Sequence, residues 1–182
     1  MGLRRIYNTR ENTAFFITTT ITRFARVFVE DRYCNLLIQS IRQYQQRYKF
    51  LTLGFVVMPS HFHWIIVPDL MRGSISDIMR DIKKDTAWRV FEQLENDGHS
   101  ELLRLFEFEG KNVRGQDRKF WMRRFDDVMI RDDLMLKQTL EYIHYNPVKA
   151  GMVDDPEDYR YSSARNYIVG DHSVLDVITD WW

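Results

Sequence analysis

His61 and His63 are separated by a single residue in the run HFHWIIVP. If that run is a strand, its alternation puts both imidazoles on one face, about 6.6 Å apart along the chain at a rise of roughly 3.3 Å per residue. Such a pair can share a divalent ion, although two histidines on a solvated or polar sheet face are the ordinary alternative. Tyr142 and Asn146 stand four apart in LEYIHYNP, a spacing that places both on one face of a helix. Alone, such a tyrosine is packing and an asparagine before proline is a helix end. Beside the histidines they offer more: Asn146 a neutral carbonyl oxygen as a third ligand, and Tyr142 a nucleophile one helical turn away. Mixed imidazole and oxygen ligation with open positions suits Mg²⁺ or Mn²⁺ acting on phosphates better than a structural zinc, which four protein ligands normally close.

The elements that must hold these residues follow from local pattern. Thr13 to Thr22 is β-branched and aromatic with Phe15, Ile17, Thr19 and Ile21 on one buried face, which predicts a strand. Residues 31–48 carry Tyr33, Leu37, Ile41, Tyr44 and Tyr48 at helical steps. Phe50–Met58 and His61–Val67 are apolar runs joined by Pro59 and Ser60, which predicts two antiparallel strands and a tight connection, with Phe62 and Trp64 facing away from the histidines. Ser74 reads as the cap of a helix reaching about Leu94 along Ile78, Met79, Ile82, Thr86 and Val90. Residues 96–118, which mix Gly, Asn, Asp and charge around a short apolar patch, read as a loop or insertion with about one helical turn. A fourth strand is expected over 124–130, then a helix capped at Asp132 or Asp133 with Leu136, Leu140 and Ile143 as its stripe, ending near Asn146 because Pro147 disfavours helical geometry there. The order predicts an α+β fold, a ferredoxin-like or RRM-like antiparallel sheet with two helices on one face and a third helix after it. The histidine-bearing strand sits inside that sheet. One domain over 1–182, with a tail at 154–182, accounts for the length.

Composition narrows the function class. With 45% hydrophobic and 29% charged residues, disorder and fibrous repeats are excluded. The longest apolar stretch, 50–58, is far short of the roughly 20 residues of a spanning helix. The basic start MGLRRIYN lacks the apolar run of a secretory signal, and the lone Cys34 suits a reducing, cytoplasmic setting. Formal net charge is zero, but it is segregated. Residues 111–131 hold seven basic and three acidic side chains, whereas 154–182 hold seven acidic and two basic. A basic segment on a neutral protein can meet a polyanion on one face or be plain solvated surface.

HFHWIIVP at 61–68, FWMRRFDDVMI at 120–130 and YIHYNPVKAGMV at 142–153, with the closing DPEDYRYSSARNYIVG at 155–170, resemble the single-tyrosine HUH transposases of the REP-associated kind. YIHYNPVKAG is the most specific block, and the resemblance spans most of the chain. It implies a nuclease and strand transferase on single-stranded DNA, with a hairpin and adjacent guide as substrate. His61 and His63 match the HUH pair, Tyr142 the nucleophile on a C-terminal catalytic helix, and Asn146 the third metal ligand. Related transposases carry glutamine there, so the shorter carboxamide must sit nearer the ion. The implied products are a 5′-phosphotyrosine and a free 3′-hydroxyl. Since only about one free tyrosine in a thousand is phenolate at pH 7, activation is needed.

Arg80, Lys83 and Lys84 on the second helix, with Arg118, Lys119, Arg123 and Arg124 before the fourth strand, are candidate phosphate contacts, and Phe120 or Trp121 could stack on an unpaired base. The competing readings are a non-catalytic hairpin-binding module or repressor of the same fold, and a metal-dependent phosphodiesterase that uses water and tolerates Tyr142→Phe. Both monomer and homodimer are compatible with these patterns.

Overall fold

A computed structural model describes residues 13–111, 113 and 115–181. The basic N-terminal residues and Arg114 lie outside the described residues. The chain runs β1 (Phe15–Thr20), α1 (Asp31–Tyr48), β2 (Leu51–Met58), β3 (His61–Val67), α2 (Ile75–Asn96), α3 (Ser100–Lys111), β4 (Asp126–Met129), α4 (Asp133–His144), α5 (Asn146–Lys149) and α6 (Ala164–Ile168). The sheet order is β2-β3-β1-β4 with every neighbouring pair antiparallel, the ferredoxin-like arrangement expected from the element order.

The strand that bears the histidines is interior, and its alternation sorts two cores. Phe62, Trp64 and Ile66 join Ile17, Phe55 and Val57 beneath α1 and α2, where Leu37, Ile41, Ile78 and Ile82 pack. Burying Trp64 completely requires a partner for its indole N–H, and Thr52 Oγ1 on β2 accepts it at 3.2 Å. On the other face Leu53, Val56, Ile65 and Val67 meet Leu136, Leu140 and Ile143 of α4. α1 and α2 thus cover one face and α4 covers part of the other.

Helix boundaries follow their caps. Ser74 and Asp77 form a reciprocal capping box at α2, and Asp132 accepts from the Met135 amide at the start of α4. Residues 100–111 are helical where a loop was expected. Leu102, Leu103 and Phe106 form a stripe at helical spacing that packs on the first core, and that burial outweighs the turn-forming residues flanking it on both sides. Gly110 lets the returning chain pass close against the end of this helix: a Cβ there would stand 2.5 Å from the Asp117 carbonyl oxygen.

The tail has a structural role that its turn signals do not announce. It runs along the outer edge of β2, with Val57 N–H donating to Tyr161 O, Ser163 N–H to Phe55 O and Ile178 N–H to Thr52 O. Tyr159 and Tyr167 donate their hydroxyls to the carbonyls of Val57 and Leu53. An edge of this length would otherwise present unpaired backbone groups.

Gly54 sets how closely α4 approaches the sheet, since a Cβ there would lie 2.5 Å from Leu140 Cδ2 and 2.9 Å from Ile143 Cδ1. Gly54→Val is therefore expected to overpack the second core and destabilise the protein by about 1–3 kcal/mol. A lowered urea midpoint at unchanged m-value is the expected observation; an unchanged midpoint would show that α4 is free to move outward.

Candidate active site on the second sheet face

The register places the candidate residues in adjacent rows. Thr20 and Met58 flank His61, while Thr18 and Val56 flank His63. Thr18 Oγ1 lies 2.9 Å from His63 Nδ1, and Ser60 Oγ lies 3.3 Å from His61 Nδ1. Both contacts occupy Nδ1, so the ring nitrogen left for a ligand on each histidine is Nε2. The two rings are 4.8 Å apart between centroids. Phe16, two residues before Thr18 on β1, stacks on His63 at 5.4 Å.

α4 brings Tyr142 to this row. Its ring stands 5.4 Å from that of His63 and 6.1 Å from that of Phe16, both edge to face, yet the residue keeps 44% exposure. A buried aromatic serves packing; one held by two rings and still open to solvent is positioned and accessible. Tyr145, between α4 and α5, keeps near-helical angles, so Asn146 follows closely on the helix that carries Tyr142. The Asn146 side chain donates Nδ2–H to the Tyr142 carbonyl at 2.9 Å, which leaves its Oδ1 outside that bond. Lys149 Nζ lies 5.8 Å from the centre of the Tyr142 ring.

Burial makes the imidazoles poor bases. His63, 5% exposed, is pushed down to about 3, chiefly by desolvation and secondarily by the charge of His61, whose own value burial also lowers. Both rings are neutral at pH 7, the state in which an imidazole can ligate a cation. Among the described residues no three of His, Cys, Asp and Glu gather, and the third ligand expected from the sequence is the Asn146 carboxamide oxygen, at the start of α5 just after the helix that carries Tyr142.

His144, given no role by sequence, is a buried strut. Its Nε2 contacts Ser163 Oγ at 2.8 Å, and Ser163 Oγ also accepts from the Phe55 amide. The tail, β2 and the end of α4 therefore meet at one hydroxyl. Only the buried position of His144 reveals this; its sequence neighbourhood does not.

The candidate phosphate contacts separate into three groups. Arg80 pairs with Asp77 and Asp81, and Arg118 with Glu95 and Glu107. Lys83 is half-buried, donates to the Met122 carbonyl at 2.9 Å and is lowered to about 8 by burial. Lys119 is half-buried as well. Lys84, Arg123 and Arg124 are exposed and have no ion-pair partner among the described residues. The expectation that Phe120 or Trp121 stacks on a base is corrected: both are buried in the first core, where Trp121 donates its N–H to the Lys83 carbonyl.

No family model matches the chain. A curated protein of Haemophilus influenzae named "Putative REP-associated tyrosine transposase" is 28% identical over 149 residues, covering 82% of this chain and 78% of the relative. The resemblance is to the REP-associated tyrosine transposases. A solved REP-associated tyrosine transposase bound to a REP hairpin superposes with a TM-score of 0.63 over 96% of each chain at 22% identity, so the two share a fold. In the REP-associated transposase fold as this chain adopts it, the histidine pair and Tyr142 share one sheet face. No helix among the described residues is long and apolar enough to cross a membrane.

The buried histidines carry a pH signature. The unfolded chain protonates them near pH 6.5, whereas folded His63 and His144 resist protonation down to about 3 and about 4. The unfolded state binds more protons in that window, so stability is full above pH 6.5 and falls as pH drops. His144→Gln should flatten this acid decline in urea midpoints measured from pH 7 to 4; an identical decline in wild type and variant would remove the assignment.

Proposed function

We propose that this chain is a metal-dependent single-stranded DNA nuclease and strand transferase with Tyr142 as its nucleophile. The observation that carries the reading is the exposed Tyr142 ring, 5.4 Å from the His63 ring on the sheet face that His61 and His63 share. Hairpin DNA is the proposed substrate, supported by the similarity to transposases of the REP-associated kind, and the cytoplasm the proposed location.

The donor set fits Mg²⁺ or Mn²⁺. Two neutral imidazoles would present Nε2, and the Asn146 carboxamide oxygen, left outside the bond to Tyr142, would supply a third, harder ligand from α5. When bound, such an ion supplies electrophilic polarisation of the phosphate and stabilises charge on the departing oxygen.

The protein's own groups supply the rest. Tyr142 Oη attacks phosphorus as its proton departs, forming the phosphotyrosine bond while the bond to the 3′ oxygen breaks. That oxygen takes a proton and leaves as a 3′-hydroxyl. The phosphodiester count is unchanged, so a second 3′-hydroxyl can reverse the step and join strands without an external energy source. Thr18 and Ser60 hold the imidazole orientations, and Phe16 and His63 limit the swing of the tyrosine ring. Lys149 places a cation 5.8 Å from the centre of the Tyr142 ring, a charge that would attract a phosphate brought to that tyrosine.

Labelled single-stranded hairpins drawn from DNA flanking the gene, incubated with Mn²⁺ and resolved on a denaturing gel, test the reading. Wild type is expected to give a covalent adduct and Tyr142→Phe none, with nearly equal hairpin affinity. Normal cleavage by Tyr142→Phe would transfer the attack to water. Saturating hairpin binding without an adduct from wild type would leave a non-catalytic binding module. Separately, His61→Ala and His63→Ala are each expected to abolish the Mn²⁺ isotherm in titration calorimetry; unchanged isotherms would remove the metal assignment.

A further inference from the structure

The aromatic residues that sequence reasoning offered for base stacking are buried, but another aromatic stands in the open beside the same row. Arg23 and Phe24, in the turn Thr22–Phe24 after β1, have φ angles of 55° and 53°, the left-handed region that bulky side chains rarely adopt. Arg23 is held by an ion pair at 2.7 Å to the buried Glu109. Phe24 has no such compensation: it is 66% exposed, so burial does not offset its conformation.

The surroundings of Phe24 connect it to the candidate site. Ile21 N–H donates to Ser60 O and Phe28 N–H to Pro59 O, which ties both ends of this turn to the connection leading into His61. On the other side Ile21 bridges Trp121, and Met122 N–H donates to the carbonyl of Thr20, the residue opposite His61. Arg123 and Arg124 follow directly. They and Arg26 are exposed and have no ion-pair partner among the described residues. An exposed ring just past the end of β1, with Arg26 two residues on and Arg123 and Arg124 further back alongside the same strand beyond Thr20, matches the chemistry of an extended single strand, whose bases stack and whose phosphates attract cations.

We infer that Phe24 is a stacking platform for an unpaired nucleobase, with Arg26, Arg123 and Arg124 holding the flanking phosphates. The site lies at the His61 end of the sheet and would seat the strand leading to the scissile phosphate. This deepens the reading of the chain as a single-stranded DNA enzyme and rests on it. Another exposed aromatic, Trp88 on α2, borders a groove that includes Glu107 and Asp117 beside Lys84 and Lys111, and its neighbourhood is therefore of mixed sign.

Binding of a fluorescein-labelled twelve-nucleotide oligothymidine and of an abasic strand of equal length, measured by anisotropy without metal, tests the inference. Wild type is expected to prefer the strand with bases by roughly 5- to 150-fold, the range of one stacked base. Phe24→Ala should lose that preference, Phe24→Tyr should keep it, and Trp88→Ala should keep it. Phe24→Gly relieves the left-handed conformation, so it should raise the melting temperature while losing the preference, which separates stacking from folding. Arg123→Gln with Arg124→Gln should weaken both strands and flatten the salt dependence by about 0.7 in slope for each phosphate the variant no longer neutralises. A wild type that binds neither strand, or a Phe24→Ala variant that keeps the preference, overturns the inference. Because no cleavage is measured, failure of Tyr142 to form an adduct leaves this result intact, and failure here leaves the Tyr142 experiment intact.

Discussion

β3 has to be buried on both faces, and the structure is organised around that requirement. An interior strand of an open sheet has neighbours on both edges, so its only remaining variables are what covers its two faces. Under α1 and α2 the cover is complete, with Phe62 and Trp64 almost fully buried. On the other face the apolar residues begin only at Ile65, and α4 covers Ile65 and Val67. His61 and His63 occupy the rows beyond that core, where the last turn of α4, bearing Tyr142, gives way to α5. The candidate site is thus the margin of the second core, wet enough to admit a substrate and dry enough to keep the imidazoles neutral.

That margin depends on where α4 sits. Gly54 allows Leu140 and Ile143 to approach β2 without an intervening side chain, and the Asp132 cap sets where the helix starts. Its far end is fixed by the His144 contact to Ser163, which in turn belongs to the segment pairing with β2. A reactive side chain needs a rigid support, because displacement of about 1 Å from productive geometry is costly to a rate. Here Tyr142 is held through the helix by apolar packing on one flank and a buried polar contact two residues away.

Alternation and helical spacing make most of this legible in the amino-acid order alone. The paired histidines with Phe62 and Trp64 opposed, the Ser74 and Asp132 caps, and the stripe Leu136, Leu140 and Ile143 are short-range patterns whose physics is local. α3 is obscured because Asn96, Asp97, Gly98 and Gly115 signal turns around it, while the burial that makes it a helix comes from residues distant in sequence. The tail along β2, the Thr18 contact to His63 and the burial of Trp121 are illegible for the same reason. Each is a tertiary pairing across tens of residues, with no periodic signature of its own. Cations are legible only as a count; which of them have carboxylate partners depends on packing.

Charge placement follows from the sheet order. The acidic tail runs along the outer edge of β2, whereas Arg123 and Arg124 lie beyond β1 on the β4 side. Four strands separated by about 4.8 Å put roughly 14 Å between the two edges. The Debye length at physiological ionic strength is about 8 Å, so each edge presents its own field to solvent rather than the cancelled sum. On the β4 side Asp126 and Asp127 are exposed as well, so the positive field that an approaching polyanion would meet there is confined to the stretch of Arg123 and Arg124. The row linking His61 to Thr20 and then to the segment after Met122 gives that approach a direction across the strands. Zero net charge and a directional electrostatic surface are therefore compatible, because the topology separates the two signs by more than the solvent lets them interact.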